Sequence, residues 1–488
     1  MRRYALAYIL TTLIFVGGIY LTIRAGKALE TPGTLPTVSQ SASPATSPNS
    51  PAPTQPEHGL VQSLQVLRDN LHAPLSLLLV QLILIVLLAR IFGALFVKLG
   101  QPAVIGEMAA GIVLGPSVFG ALFHGAFEFV FPTGALGALR MLSQVGVILF
   151  MFVVGMELNL KHLRGRANTA FLVSHVSILF PYSLGVLLSY FIFQSFAPPN
   201  VSFPAFALFM GIAMSITAFP VLARIIEERG LGGTFLGSTA ISCAAVNDIS
   251  AWIILAFVVA IVKANGMGSP VMTILLVCLF VAAIFFVLKP LLDRFVAARP
   301  RIAANPTRGT VVGILALVFF CALFTEVVGI HAFFGAFLAG IAMPANLQFR
   351  MHMRERLENF SSAFLLPLFF AFTGLRTQIG LLNDWEGWTV CGGIIAAATI
   401  GKLGGSMVTA RCTGMDWHDS FALGALMNTR GLVELIVLNI GLDLGILSPR
   451  IFAMTVIMAL VTTFMTSPLL SLGNLLWRRN HALAPATP

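Results

Sequence analysis

The stretch AAVNDISAW, residues 244–252, sets an amide and a carboxylate side by side, Asn247 and Asp248, inside an apolar run long enough to cross a bilayer. An ionisable group at that depth costs roughly 3 kcal/mol or more. A carboxylate is a hard oxygen ligand for an alkali cation. It is also a proton acceptor. A residue that holds a cation or a proton, never both, is the minimal machinery of exchange. The competing reading is a structural pair with a buried base, but an apolar residue packs as stably as such a pair in many proteins.

Three other stretches place costly groups in apolar surroundings. Lys402, in TIGKLGGS, is a candidate base that pairs with Asp248 when no cation is bound. Snorkelling to the surface is the alternative, although Arg411, more than two helical turns further on, already marks that helix end. In SITAFPVLAR, 215–224, Pro220 lacks an N–H and clashes with the carbonyl of Ile216, so the helix should break near 217–219. The freed carbonyls and the Thr217 hydroxyl would then be cation ligands beside Asp248; a simple proline kink is the plainer alternative. In LMNTRGLVELIV, 426–437, Asn428, Thr429, Arg430 and Glu434 interrupt a second apolar run, with Gly431 as a weak point. A guanidinium there would counter the partial negative charge of a half-helix C-terminus. An Arg430–Glu434 ion pair at (i, i+4) spacing is compatible with this. Glu107 opens GEMAAGIVLGPSVFG and reads as a funnel-mouth residue. His331 and Glu326 flank the start of GIHAFFGAFLAG and read as structural or funnel residues, with the glycines serving close packing.

The elements that must position these groups are membrane helices. Of 488 residues, 57% are hydrophobic and only 10% charged, against roughly 25% charged in soluble domains. The mean hydropathy is +0.92. The apolar runs are continuous rather than alternating, which excludes a membrane barrel and predicts an all-α polytopic protein. Residues 1–24 predict a signal anchor, with a cleaved signal peptide as the alternative. Residues 25–74 form a linker outside the membrane, rich in Pro, Ser and Thr over 31–57. Thirteen core spans follow within 75–475, near 75–98, 104–123, 137–156, 168–194, 203–226, 235–263, 268–292, 309–327, 330–345, 361–376, 386–410, 417–440 and 450–475. Residues 346–360 predict a short amphipathic segment on the inner surface, and 476–488 a short cytoplasmic tail.

The net charge of +10 is not a nucleic-acid signature, because the basic residues cluster at span ends. Alternating the spans from an outside start puts Lys98, Lys161, Arg164, Arg166, Arg224, Arg229, Lys289, Arg294, Arg299, Arg301, Arg350, Arg354, Arg356, Arg411, Arg478 and Arg479 inside. Arg140, Lys263, Arg376 and Arg450 fall outside. This is the positive-inside pattern, with a cytoplasmic C-terminus. The five cysteines form no CxxC pair, and the histidines form no metal-binding motif. No P-loop is present. No cofactor and no resident metal are therefore expected. The two interruptions fall in the fifth and twelfth core spans. If spans 1–6 and 8–13 are two halves joined by span 7, both are fifth in their half and the halves are inverted. Paired broken helices at matching places of inverted halves point to a midplane site in a secondary transporter.

With these residues in view, the sequence resembles the monovalent cation:proton antiporter-2 family over about 75–475. The resemblance is carried jointly by GEMAAGIVLGPSVFG, SITAFPVLAR, AAVNDISAW, GIHAFFGAFLAG, LPLFFAFTGLRTQIG and LMNTRGLVELIVLNIG, and is closest to the plant cation/H+ exchangers and their bacterial relatives. It implies a sodium/hydrogen exchanger-like fold of thirteen helices and a homodimer in the inner membrane. Spans 1–3 and 8–10 would form the dimerisation domain, and spans 4–6 and 11–13 a mobile domain moving as an elevator. Asp248, Asn247 and Thr217 would hold the cation or proton, supported by Lys402, Arg430, Pro220, Asn428 and Glu434. Relatives regarded as electrogenic carry two acidic residues where this chain has Asn247–Asp248, which implies one proton per Na+ or K+ and electroneutral exchange. Regulatory domains of the relatives have no counterpart here, so such regulation would need a separate subunit. The residues alone leave open an organic-anion symporter on a similar inverted-repeat fold, or a cation channel or channel-like sensor. A membrane enzyme lacks a nucleophile–base or metal constellation.

Overall fold

The computed structural model describes residues 2–29, 70–71, 73–157, 167–232, 234–262 and 270–481. The expected linker at 31–57, the basic residues Lys161, Arg164 and Arg166, and Lys263 lie outside the described residues. All regular structure among the described residues is helical. Among the described residues twelve helices are long and apolar enough to cross a membrane, and a pair bent by 42° brings the number to thirteen when counted as one span.

The first helix, α1 (Arg2–Gly26), covers the expected anchor and lies against the helix Ala167–Phe196. There Phe15 meets Phe180 with ring centroids 5.6 Å apart. The core continues with α2 (Pro74–Lys98), α3 (Ala103–Leu114), α4 (Leu136–Glu157) and α5 (Ala167–Phe196). The first interrupted span is α6 (Phe203–Ser215) plus α7 (Phe219–Glu228), followed by α8 (Phe235–Val262). The linking span is α9 (Pro270–Ala283), a wide turn at Ile284–Leu288, and α10 (Lys289–Ala297). Then come α11 (Arg308–Val328), α12 (Ala332–Ile341), α13 (Leu347–Phe360) and α14 (Leu366–Arg376). The last group is α15 (Trp385–Thr399), α16 (Gly405–Cys412), the bent pair α17 (Trp417–Met427) and α18 (Leu432–Asp443), and α19 (Pro449–His481).

The core helices pack in two groups. Helices α2, α3, α4, α11, α12 and α14 contact one another, and α5 to α8 contact α15 to α19. Two expectations need correction. The ninth core span is helical only over the ten residues of α12, about 15 Å at 1.5 Å per residue. That is half of a hydrocarbon core about 30 Å thick. A short helix is tolerated because nine of its ten residues are buried by protein, which satisfies the flanking backbone. The amphipathic segment at 346–360 is not separate either. It runs as α13 through a wide turn at Ser361–Leu365 into α14, and it buries Phe349 and Met353.

Glycines allow α12 to sit this deep. Gly155 of α4 and Gly340 of α12 stand face to face, so a Cβ on either would enter the other's backbone. Van der Waals contact between closely approaching backbones is the main attraction available between membrane helices. Gly340→Val should therefore destabilise the fold by about 1–3 kcal/mol or more. The measurement is thermal unfolding in detergent, where the variant should melt well below the parent and Gly313→Val, at an unobstructed position on α11, should not.

Candidate functional site

Two breaks cross at the centre of the second helix group. The chain leaves α6 at Ile216 in an extended conformation and resumes helix at Phe219, with Pro220 in the first turn. Proline is accepted at that position because its missing N–H would have had no partner in the first turn. The second break lies between Met427 and Leu432. Gly431 there has φ +155°, a conformation that side chains rarely adopt. A Cβ on Gly431 would also press on Val221. The two breaks are joined directly, since the Ala218 N–H donates to the Thr429 carbonyl at 3.0 Å.

Side chains satisfy the rest of the exposed backbone. The Thr217 N–H donates to Oδ1 of Asn247 at 3.0 Å. Nδ2 of Asn247 donates to Oγ of Ser177 at 3.0 Å, which in turn donates to the Ser174 carbonyl. The Thr217 hydroxyl donates to the Met427 carbonyl at 2.9 Å and accepts from Nζ of Lys402 at 2.7 Å. Arg430 donates to the carbonyls of Ala213 at 3.2 Å and Met214 at 2.6 Å, in the last turn of α6, and to Oε2 of Glu434 at 3.1 Å. The guanidinium thus neutralises a half-helix C-terminus and forms the (i, i+4) ion pair at once. Thr463 clamps the Arg430 backbone, accepting from its N–H at 3.0 Å and donating to its carbonyl at 2.8 Å. Asn428 donates to the Thr462 carbonyl at the limit of 3.5 Å.

Asp248 is fully buried on α8, and neither carboxylate oxygen closes a hydrogen bond of normal geometry. Lys402 and the backbone N–H of Phe219, the first residue of α7, are the positive groups that act on it. A fully buried carboxylate with neither oxygen hydrogen-bonded is the feature of this centre that ordinary packing does not account for.

The structure brings Asp248, Asn247, Thr217, Lys402, Asn428, Arg430 and Glu434 into one buried centre. The expected ion pair between Lys402 and Asp248 does not form. Among the described residues no ion pair joins them, because the Thr217 hydroxyl, oriented by the Met427 carbonyl, takes the ammonium instead. Lys402 does not snorkel. It is fully buried on a wide turn, Ile400–Gly404, whose Gly401 lies against Pro181 of α5. Such wide turns recur at functional positions in helices.

Two adjoining cavities, about 470 and 420 Å³, lead to the start of α7. Both are walled by Glu157, Glu227 and Arg354, and they end on Pro220 and Phe219 respectively. Glu107 lies one helical turn from Val104, which lines the first cavity. His331 is on another element, at the start of α12 beside Phe333, with φ +113°. There Oε2 of Glu326 accepts from the Ala332 N–H at 2.8 Å and caps α12. Sequence reasoning missed Ser177 and Thr463. Their signal was polar residues at helical spacing in apolar spans, Ser174 with Ser177 and Thr462, Thr463 and Thr466.

Known proteins resemble this sequence. The profile of the family described as "Sodium/hydrogen exchanger, transmembrane" matches residues 83–472. The Na+/H+ antiporter NhaS4 of Synechocystis sp. is 45% identical over 397 residues, 81% of this chain and 96% of that protein. The K+/H+ antiporter 1 of Saccharomyces cerevisiae is 34% identical over 85% of this chain, and the Cation/H+ antiporter 20 of Arabidopsis thaliana is 38% identical over 82%. The chain spans about half the length of these two, 48% and 49%. A solved sodium proton antiporter from Methanocaldococcus jannaschii shares the fold, with a TM-score of 0.58 over 81% of this chain and 95% of that one, at 14% identity.

Arg430 is the group whose removal should damage the centre most. Arg430→Ala would leave two helix-end carbonyls and Glu434 unpartnered, at a cost of about 3–5 kcal/mol. Arg430→Lys should not restore stability, since an ammonium lacks the planar fork. The check is the yield of monodisperse protein and its unfolding midpoint, compared with those of the parent.

Proposed function

The chain belongs to the sodium/hydrogen exchanger family, and on that premise we propose that it is a secondary monovalent cation/proton antiporter. Asp248 takes up a Na+ or K+ ion and a proton in alternation. The observation that carries this reading is a fully buried carboxylate without a hydrogen-bond partner, set beside two crossing helix breaks. A cation bound there meets the Asp248 oxygens and the backbone and hydroxyl oxygens of the break around Thr217. Asn247 holds the geometry rather than binding the ion, since its amide already joins Thr217 to Ser177. Lys402 rests on Thr217 and competes with the cation for the same small volume.

One carboxylate at the ion site supports exchange of one proton per cation, hence electroneutral transport. The reading extends to an elevator movement of α5 to α8 with α15 to α19 against the other group, in a homodimer in the inner membrane with a cytoplasmic C-terminus. The two cavities beside Glu157 and Glu227 would be the route from one face. The proton gradient drives the cycle, and a separate regulatory subunit is compatible with it. An organic-anion symporter is disfavoured because the buried Asp248 carboxylate would repel its substrate.

The test is exchange in proteoliposomes with Na+, K+ and Li+ compared. Asp248→Asn should reduce cation-dependent proton movement to the level of protein-free liposomes, and clamping the membrane potential should leave the parent rate unchanged. Normal exchange by Asp248→Asn would reject the assignment, and a rate that follows the potential would reject electroneutrality.

A further inference from the structure

Between α8, the linking span and the α11–α12 turn lies a groove of about 540 Å³, lined by apolar side chains apart from Thr273 and Cys278. Ala256 and Ala260, one turn apart on α8, and Ala282 on the linking span leave it room. Its wall on the linking span runs from Thr273 to Phe286, about 20 Å at 1.5 Å per residue. That exceeds the hydrocarbon depth of one leaflet, about 15 Å. The groove opens sideways toward lipid: Cys278 is exposed, and Phe286, pushed out at the wide turn, is 81% exposed.

One end of the groove is charged. Lys289 follows Phe285 by one turn and holds its ammonium 5.8 Å from the centroid of that ring, which lines the groove. Asp293, a turn further on, accepts from the Ala345 N–H at 3.0 Å, and among the described residues no ion pair joins it to Lys289. Lys289 therefore presents a cation at one end of an apolar channel of acyl-chain length.

We propose that the groove binds an anionic glycerophospholipid, with one acyl chain along Thr273–Phe286 and its phosphate at Lys289. The lining rejects a polar ligand, which would lose its water without gaining hydrogen bonds. An acyl chain loses nothing there, and a juxtamembrane cation attracts an anionic headgroup. The site also lies on a seam. Trp252, one turn from Asp248 on α8, meets Phe337 of α12 at 5.9 Å beside it. A lipid held there would be wedged between the helix that carries the buried carboxylate and the opposite helix group.

The experiment uses the full chain in liposomes containing phosphatidylglycerol or phosphatidylcholine, each with a photoactivatable diazirine on the acyl chain. Phosphatidylglycerol should label peptides from 253–260 and 273–286 preferentially. Ala260→Phe should cut that labelling at least five-fold without changing labelling of α2, and Cys278→Phe should do the same from the lipid side should the first variant fold poorly. Lys289→Gln should bring phosphatidylglycerol labelling down to the phosphatidylcholine level. Equal labelling by both lipids in the parent, or undiminished labelling in the filled variants, would overturn the proposal. The readout is lipid contact itself, so it stands whichever solute the protein moves.

Discussion

A helix interrupted inside a bilayer exposes N–H and C=O groups that hydrocarbon cannot satisfy. Two interruptions occur here, and the centre of the molecule is built from their mutual repair. The Ala218 N–H meets the Thr429 carbonyl, and the Thr217 hydroxyl meets the Met427 carbonyl. Arg430, on the second break, covers the last carbonyls of the helix before the first. Each break supplies what the other lacks, so neither could persist alone. Asn247 ties this crossing to α8 and, through Ser177, to α5. The helix that carries Asp248 is thereby fixed relative to both breaks.

That repair leaves Asp248 as the exception. Single atoms of Asn428, Arg430 and Glu434 also lack partners, but each of those side chains makes at least one hydrogen bond, whereas the Asp248 carboxylate makes none. A buried group with unused acceptor capacity costs stability in a structure that otherwise satisfies its backbone. Selection for stability alone would place an apolar residue there. The exception has a function if the missing partner is a transported ion or a proton. Lys402 then acts as a neighbour of the site rather than as a permanent counter-ion, because its ammonium is held by a neutral hydroxyl.

The features legible in the sequence were those fixed by local backbone chemistry. Pro220 announces a break a few residues before it, and Gly431 announces one at its own position. Continuous apolar runs announce spans. Arg430 and Glu434 are four residues apart, so their pairing follows from helix geometry. What escaped depends on distant partners. Lys402 and Thr217 are 185 residues apart, and pattern reading gave Lys402 a carboxylate for a partner where packing gave it a hydroxyl. Ser177 was passed over despite its spacing from Ser174, because a serine in an apolar span usually satisfies itself on its own helix. The short ninth span was overestimated because its apolar flanks, buried by neighbouring helices, read like helix in one dimension.

Competition between cation and proton at Asp248 can be observed without transport. Purified protein in weakly buffered detergent solution is titrated with Na+ or K+, and the released protons are counted with a pH indicator. The account predicts saturable release of about one proton per chain, absent in Asp248→Asn, with apparent cation affinity weakening as pH falls. Saturable cation binding with no proton release, or equal release from Asp248→Asn, would contradict it.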